Sequence, residues 1–159
     1  MDIMFFFIFL FATFAAAATG AMFPTGDWYK KLEKPSWVPP NWVFPVVWTS
    51  IYLLISFAAA RVAGQDGSQL ALAFWALQIA FNTLWTPVFF GLRAMKKSLP
   101  IMGALWLSVL GCLITFFQVD FWAGMAFVPY IVWVTVAAAL SWSMVRLNPD
   151  QVPLDLSKI

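Results

Sequence analysis

The chain has 159 residues, 63% of them hydrophobic and only 10% charged, with nine bases, seven acids and no histidine. A soluble domain carries about 25% charged residues, so an ordinary soluble fold is excluded, and a net charge of +2 without a basic cluster excludes a nucleic-acid surface. Without histidine, and with every acid outside the apolar stretches, those stretches hold no Ser-His-Asp set, carboxylate pair or metal cluster.

Five charge-free apolar stretches run roughly over 3–23, 43–60, 69–92, 99–119 and 121–145. A helix rising about 1.5 Å per residue needs about 20 such residues to cross a hydrocarbon core of about 30 Å. The expected fold is therefore an all-α integral membrane protein: a single domain, residues 1–159, forming a bundle of five transmembrane helices.

In the first stretch, Ile3–Phe14 followed by Ala15–Ala18 imitates a signal peptide. Asp2 stands where a signal peptide is basic, and the apolar run continues through Phe23, so the stretch reads as a retained span. Residues 24–42 form a connection too long for a minimal turn and rich in Pro and Trp. Pro35, Pro39 and Pro40 stiffen it, which lowers the entropy lost in holding one shape over the bundle.

The second span carries Trp48, Tyr52 and Ser56 on one helix face. The third is the most polar, with Gln78, Asn82, Trp85 (or Thr86) and Phe89 sharing a face; amides in lipid must point at a partner helix or a cavity. The fourth has Ala104, Ser108 and the lone Cys112 at four-residue spacing, a small-residue stripe suited to packing within one chain or between two. The fifth aligns Tyr130, Trp133, Ala137 and Ser141. Pro87 and Pro129 are internal to spans, where a kink either curves a helix for packing or opens a pocket.

Charge sets the orientation. The 24–42 loop, the third-to-fourth connection and the C-terminal tail hold eight of the nine bases, whereas the opposite face has only Arg61. The positive-inside rule makes the basic face cytoplasmic, with the N-terminus outside and the C-terminus inside. Trp48, Trp85 and Trp133 then lie at a similar depth in the cytoplasmic half, with Asn82 and Gln78 slightly deeper. Such a layer is either ordinary bundle packing or a ligand pocket of indole faces and amides suited to a flat, conjugated, largely apolar molecule. Lys30, Lys31, Lys34 and Arg146 are candidate partners for ligand carboxylates at its rim. Trp28, Trp37, Trp42, Trp122 and Trp142 lie at span ends, where an aromatic belt is ordinary. The spans lack the ionisable group of an ion-coupled transporter and the acid–base pairs of a hydrolytic enzyme.

Three segments carry a family resemblance. Lys34-Pro-Ser-Trp-Val-Pro-Pro-Asn-Trp-Val-Phe-Pro-Val-Val-Trp48 resembles the first-loop and second-helix signature of the TspO/MBR family, Asn82-Thr-Leu-Trp85-Thr-Pro-Val-Phe-Phe-Gly91 its third-helix motif, and Val128-Pro-Tyr-Ile-Val-Trp133 its fifth. The resemblance implies a bacterial membrane protein, with helical spans favouring the inner membrane. It further implies a homodimer that binds protoporphyrin IX and related porphyrins, and also sterols and isoquinoline carboxamides. The porphyrin enters as a ligand, with no cofactor or metal required. Family pocket positions match Trp48, Asn82, Trp85, Trp133 and Ala137, with Trp37 and Trp42 in the covering loop; Tyr52, Gln78 and Tyr130 join them from the face pattern.

The expected role is a tetrapyrrole receptor or regulator contributing to tetrapyrrole transport or to control of its biosynthesis. A porphyrin transporter and a light-dependent porphyrin-degrading protein are the alternatives. In some bacterial members the tryptophans matching Trp48 and Trp133 are tied to that breakdown; an enzymatic role is the less favoured reading. One departure concerns sterols: Leu140-Ser-Trp142-Ser-Met-Val-Arg146 has Trp where the animal cholesterol pattern has Tyr, which argues against a dedicated sterol site by that route.

Overall fold

The computed structural model describes residues 2–155, so Lys158, counted among the bases of the tail, lies outside the described residues. Five helices are long and apolar enough to cross a bilayer. They are α1 (Ile3–Met22), α3 (Val43–Val62), α4 (Gln69–Thr86, extended by a π-helical segment Pro87–Gly91), α5 (Met95–Val119) and α6 (Phe121–Leu147); a short helix α2 (Gly26–Lys31) lies in the first loop. Two of the helices outrun their apolar stretches at the basic end: α5 starts early enough to include Lys96 and Lys97, and α6 continues through Arg146. A helix satisfies its own backbone, so it continues past the hydrocarbon edge while long basic side chains reach into the head-group layer.

The helices close into a ring in which α1 touches α3 and α4, α3 touches α6, α6 touches α5, and α5 touches α4. Ile51, Ile55, Ala58 and Ala59 of α3 meet Val109 and Phe116 of α5 and Phe127 and Val134 of α6 in the core. Ser108 and Cys112 are buried in that core, so the small-residue stripe serves packing within the chain. Gly111 lies against the Phe74 ring, where a Cβ has no room. Trp75 also faces inward: its indole N–H donates to the Ile55 carbonyl at 3.0 Å and joins α4 to α3. By contrast α1 turns Phe7 and Phe11 outward and has only Thr13 and Ala16 buried.

The two internal prolines behave differently. Pro129 sits in an unbroken α6. Pro87 begins the π-helical segment, in which Leu92 N–H reaches back five residues to the Pro87 carbonyl at 2.8 Å. That wider winding satisfies the Pro87 carbonyl just past the point where proline, lacking a donor, interrupts the α-helical ladder.

At the end opposite the basic face, Arg61 donates from Nε to Asp120 Oδ1 at 2.9 Å and from Nη2 to Oδ2 at 2.6 Å. Asp120 Oδ1 also accepts the Ala123 backbone N–H at 2.8 Å, capping α6. One carboxylate thus joins the last turn of α3 to the α5–α6 corner. The hydrogen bonds from Arg61 hold the Asp120 carboxyl below the usual carboxylate value against a smaller opposing effect of burial. Because the folded-state value is depressed, this stability is complete above the ordinary carboxylate pKa of about 3.9 and is lost as pH falls through the folded value. Asp120→Asn should lower the unfolding free energy in detergent by about 1–2 kcal/mol at neutral pH. Its deficit relative to wild type, followed by thermal circular dichroism, should stay constant above about pH 5 and shrink as pH falls below about 4.

Candidate functional site

Between the helices, at the end closed by residues 24–42, lies a cavity of about 610 Å³. That is within the range of about 300–1,000 Å³ usual for sites that enclose small organic ligands. All five spanning helices contribute to its wall, and Thr25, Tyr29 and Asn41 of the first loop form its cover.

Of the residues singled out from sequence, Trp48 and Tyr52 (α3), Asn82 and Trp85 (α4), and Trp133 and Ala137 (α6) all line the cavity. Gln78 and Tyr130 lie behind the wall as its support. Tyr130 O–H donates to Gln78 Oε1 at 2.8 Å, and the Tyr130 oxygen accepts from Asn82 Nδ2 at 3.1 Å. This fully buried chain fixes the amide of Asn82 at the cavity edge. Trp37 and Trp42 stand apart: they are 49% and 68% exposed and do not line the cavity. The loop covers the site with Tyr29 rather than with its tryptophans, because α2 turns Tyr29 toward the bundle and against Phe90, with ring centroids 5.5 Å apart.

Other wall residues escaped the sequence reading. Leu10, Phe14, Ala16, Ala17 and Gly20 of α1 form one side, and Phe90 reaches the cavity beside Phe89, which the sequence had placed on the face of Asn82 and Trp85. The alanine run of α1 was a visible signal, whereas the π-helical winding that re-aims two consecutive phenylalanines was not.

The wall is aromatic, and its rings hold one another in place. Trp85 stacks on Phe89 with centroids 5.0 Å apart, Phe44 meets Trp133 edge-on at 5.5 Å, and Trp48 lies 5.6 Å from Tyr52 and 6.0 Å from Tyr130. No charged side chain is in the lining. At the cover, Lys34 Nζ stands 4.7 Å above the Tyr29 ring and donates to the carbonyls of Lys30 and Leu32. Burial pushes the Tyr29 phenol above its ordinary value, so it stays a neutral donor and acceptor at physiological pH. Among the described residues three buried side-chain donors have no hydrogen-bond partner: the indole N–H groups of Trp85 and Trp133, and Gln78 Nε2. Buried donors are rarely left unpaired, and two of these three belong to cavity-lining side chains. Among the described residues no cluster of His, Cys, Asp or Glu is suited to a metal ion. The arrangement suits an uncharged or delocalised ring system that stacks on the aromatic faces and meets the Asn82 amide with one polar edge.

The sequence profile of the TspO/MBR family matches residues 5–147. The chain is 50% identical over 160 residues to protein CrtK of Rhodobacter capsulatus, an alignment covering 98% of this chain and 100% of that protein. It is 52% identical over 148 residues to the tryptophan-rich sensory protein of Cereibacter sphaeroides, covering 93% of this chain and 94% of that protein. The human translocator protein is similar at 29% identity over 137 residues, 81% of each chain. With five membrane-spanning helices, the first-loop and third- and fifth-helix motifs, and matches of this extent, the chain is a multi-pass membrane protein that belongs to the TspO/MBR family.

Proposed function

We infer that the chain is a membrane receptor or regulator that takes a tetrapyrrole, protoporphyrin IX or a related porphyrin, into the aromatic cavity. The observation that carries this reading is the set of indole and phenyl faces of Trp48, Trp85, Phe89 and Trp133, with the amide of Asn82, around a cavity without charged lining. A flat macrocycle supplies the stacking area, its polar edge supplies acceptors, and Asn82 orients it through an amide already held by Tyr130. The carboxylates of such a ligand would face the cover, where Lys34 stands over the Tyr29 ring. Pairing of two copies belongs to the same proposal, with a contact surface other than the buried Ser108 and Cys112. Sterols and isoquinoline carboxamides, being apolar and ring-shaped, are further candidates for the cavity.

Titration with protoporphyrin IX followed by tryptophan fluorescence tests the reading. Trp48→Phe combined with Trp133→Phe removes indole area and two indole N–H groups, and should weaken binding by about 10- to 100-fold while the fold persists. Unchanged affinity and quenching in that variant would remove the cavity from consideration as the site.

A second reading, light-dependent degradation, is favoured by one observation: Trp48 and Trp133 both line the cavity, within reach of a bound ring. Illumination of the complex in air separates the two. For a receptor, porphyrin consumed should not exceed the protein present; repeated turnover that is lost in Trp48→Phe or Trp133→Phe would make the protein an enzyme.

A further inference from the structure

The C-terminal segment that follows α6 lies against the cover of the cavity. Asn148 ends α6, and its backbone N–H donates to the Met144 carbonyl at 3.1 Å. Its side-chain amide then makes three bonds. Oδ1 accepts the Glu33 backbone N–H at 2.9 Å, and Nδ2 donates to the Glu33 carbonyl at 2.9 Å and to the Met144 carbonyl at 2.8 Å. One acceptor and two donors are all in use, so the amide has a single workable orientation and reads both polar groups of one loop residue. Further along, Gln151 Oε1 accepts the Trp28 indole N–H at 2.9 Å. The same segment is fastened to the α4–α5 turn, where Lys96 Nζ donates to the Pro149 carbonyl at 3.1 Å and Leu154 N–H to the Leu92 carbonyl at 2.8 Å. Arg93 of that turn lies 5.7 Å from the Trp28 ring centroid.

The two points at which the tail grips the loop, Trp28 and Glu33, bracket the part that closes the cavity. Tyr29 lines it, and Leu32 is buried against Phe89, Met95, Leu140 and Met144. Phe89, Leu140 and Met144 are themselves cavity wall. Lifting the loop therefore requires release of the Asn148 and Gln151 bonds together with withdrawal of Leu32. Apart from its bond to the Met144 carbonyl, the amide of Asn148 bonds main chain of the loop, and the side chain of Gln151 bonds Trp28. Neither residue lines the cavity.

We propose that the C-terminal segment is a latch on the cavity cover, with Asn148 and Gln151 as positioning residues that hold residues 24–42 shut and so set the rate at which a ring ligand passes in and out beneath the loop. The role in ligand passage rests on the cavity being the ligand site. The holding of the loop does not. A latch acts on the opening of the cover and makes no contact with the ligand. Weakening it raises association and dissociation rates together and leaves their ratio nearly unchanged, provided the closed form still dominates. A residue that touched the ligand would act mainly on dissociation.

The test uses the full chain in lipid nanodiscs, as wild type, Asn148→Asp and Gln151→Ala. Asn148→Asp sets carboxylate oxygens against the Glu33 and Met144 carbonyls; Gln151→Ala removes only the bond to Trp28 from an exposed position and serves if the first variant fails to fold. Hydrogen exchange without ligand should show amides around Leu32 and Glu33 exchanging about tenfold faster in Asn148→Asp, with a smaller effect in Gln151→Ala. Stopped-flow mixing with protoporphyrin IX should show association and dissociation both rising about tenfold in Asn148→Asp, with Kd changing by less than about threefold. Unchanged exchange in the loop overturns the latch. Faster exchange with unchanged ligand rates overturns its part in ligand passage. Absence of porphyrin binding in the wild type overturns the proposed function and the passage role with it, while the exchange result alone then decides the latch.

Discussion

A bilayer core supplies no hydrogen-bonding partner, and the arrangement of polar groups in this chain follows from that constraint. Most serine and threonine hydroxyls within the spans turn back on their own helix: Ser56 onto the Tyr52 carbonyl, Ser108 onto Ala104, and Thr115 onto Gly111, each at 2.7 Å. These hydroxyls are satisfied locally and specify no partner. The bonds that cross between helices are few, and those from Trp75 to Ile55 and along Gln78–Tyr130–Asn82 are buried. Because the alternative for each group is an unsatisfied donor in hydrocarbon, these crossings fix the mutual position of α3, α4 and α6, the helices that carry the cavity tryptophans.

The same constraint separates the two ends of the molecule. Charge is tolerated only where helices leave the hydrocarbon, and the chain uses it differently at each end. At the far end a bidentate Arg61–Asp120 pair joins α3 to the α5–α6 corner and caps α6. At the basic end the tethers are neutral or single-point, and they hold a loop rather than helices. The aromatic cavity lies under the end covered by the loop.

Much of this was legible in the residues. Charge-free length identifies spans because every charged residue at depth is penalised, and helical spacing put Trp48 with Tyr52, and Trp133 with Ala137, on common faces that do line the cavity. The reading went less far in the first loop. Its Trp-rich motif pointed to Trp37 and Trp42 as covering residues, yet the structure turns both outward and places Tyr29 and Leu32 inward. Loop sequences have no periodicity that assigns inside and outside, so a motif can mark the segment without marking its inward side chains. Likewise Gln78 and Tyr130 were expected among the ligand residues, whereas the structure pairs them with one another behind the wall.

By itself the sequence determined the solvent, the number of spans and the chemical character of the helix faces that line the cavity, because each depends on local composition and on a helical repeat that short segments carry in full. The closed order of the helices, the chain of bonds behind Asn82, the inward pair Phe89 and Phe90 at the π-helical winding, and the hold of Asn148 on Glu33 were decided only in the tertiary structure. Each depends on groups far apart in the chain meeting within about 3 Å, and nothing in the local pattern of either segment encodes the position of the other.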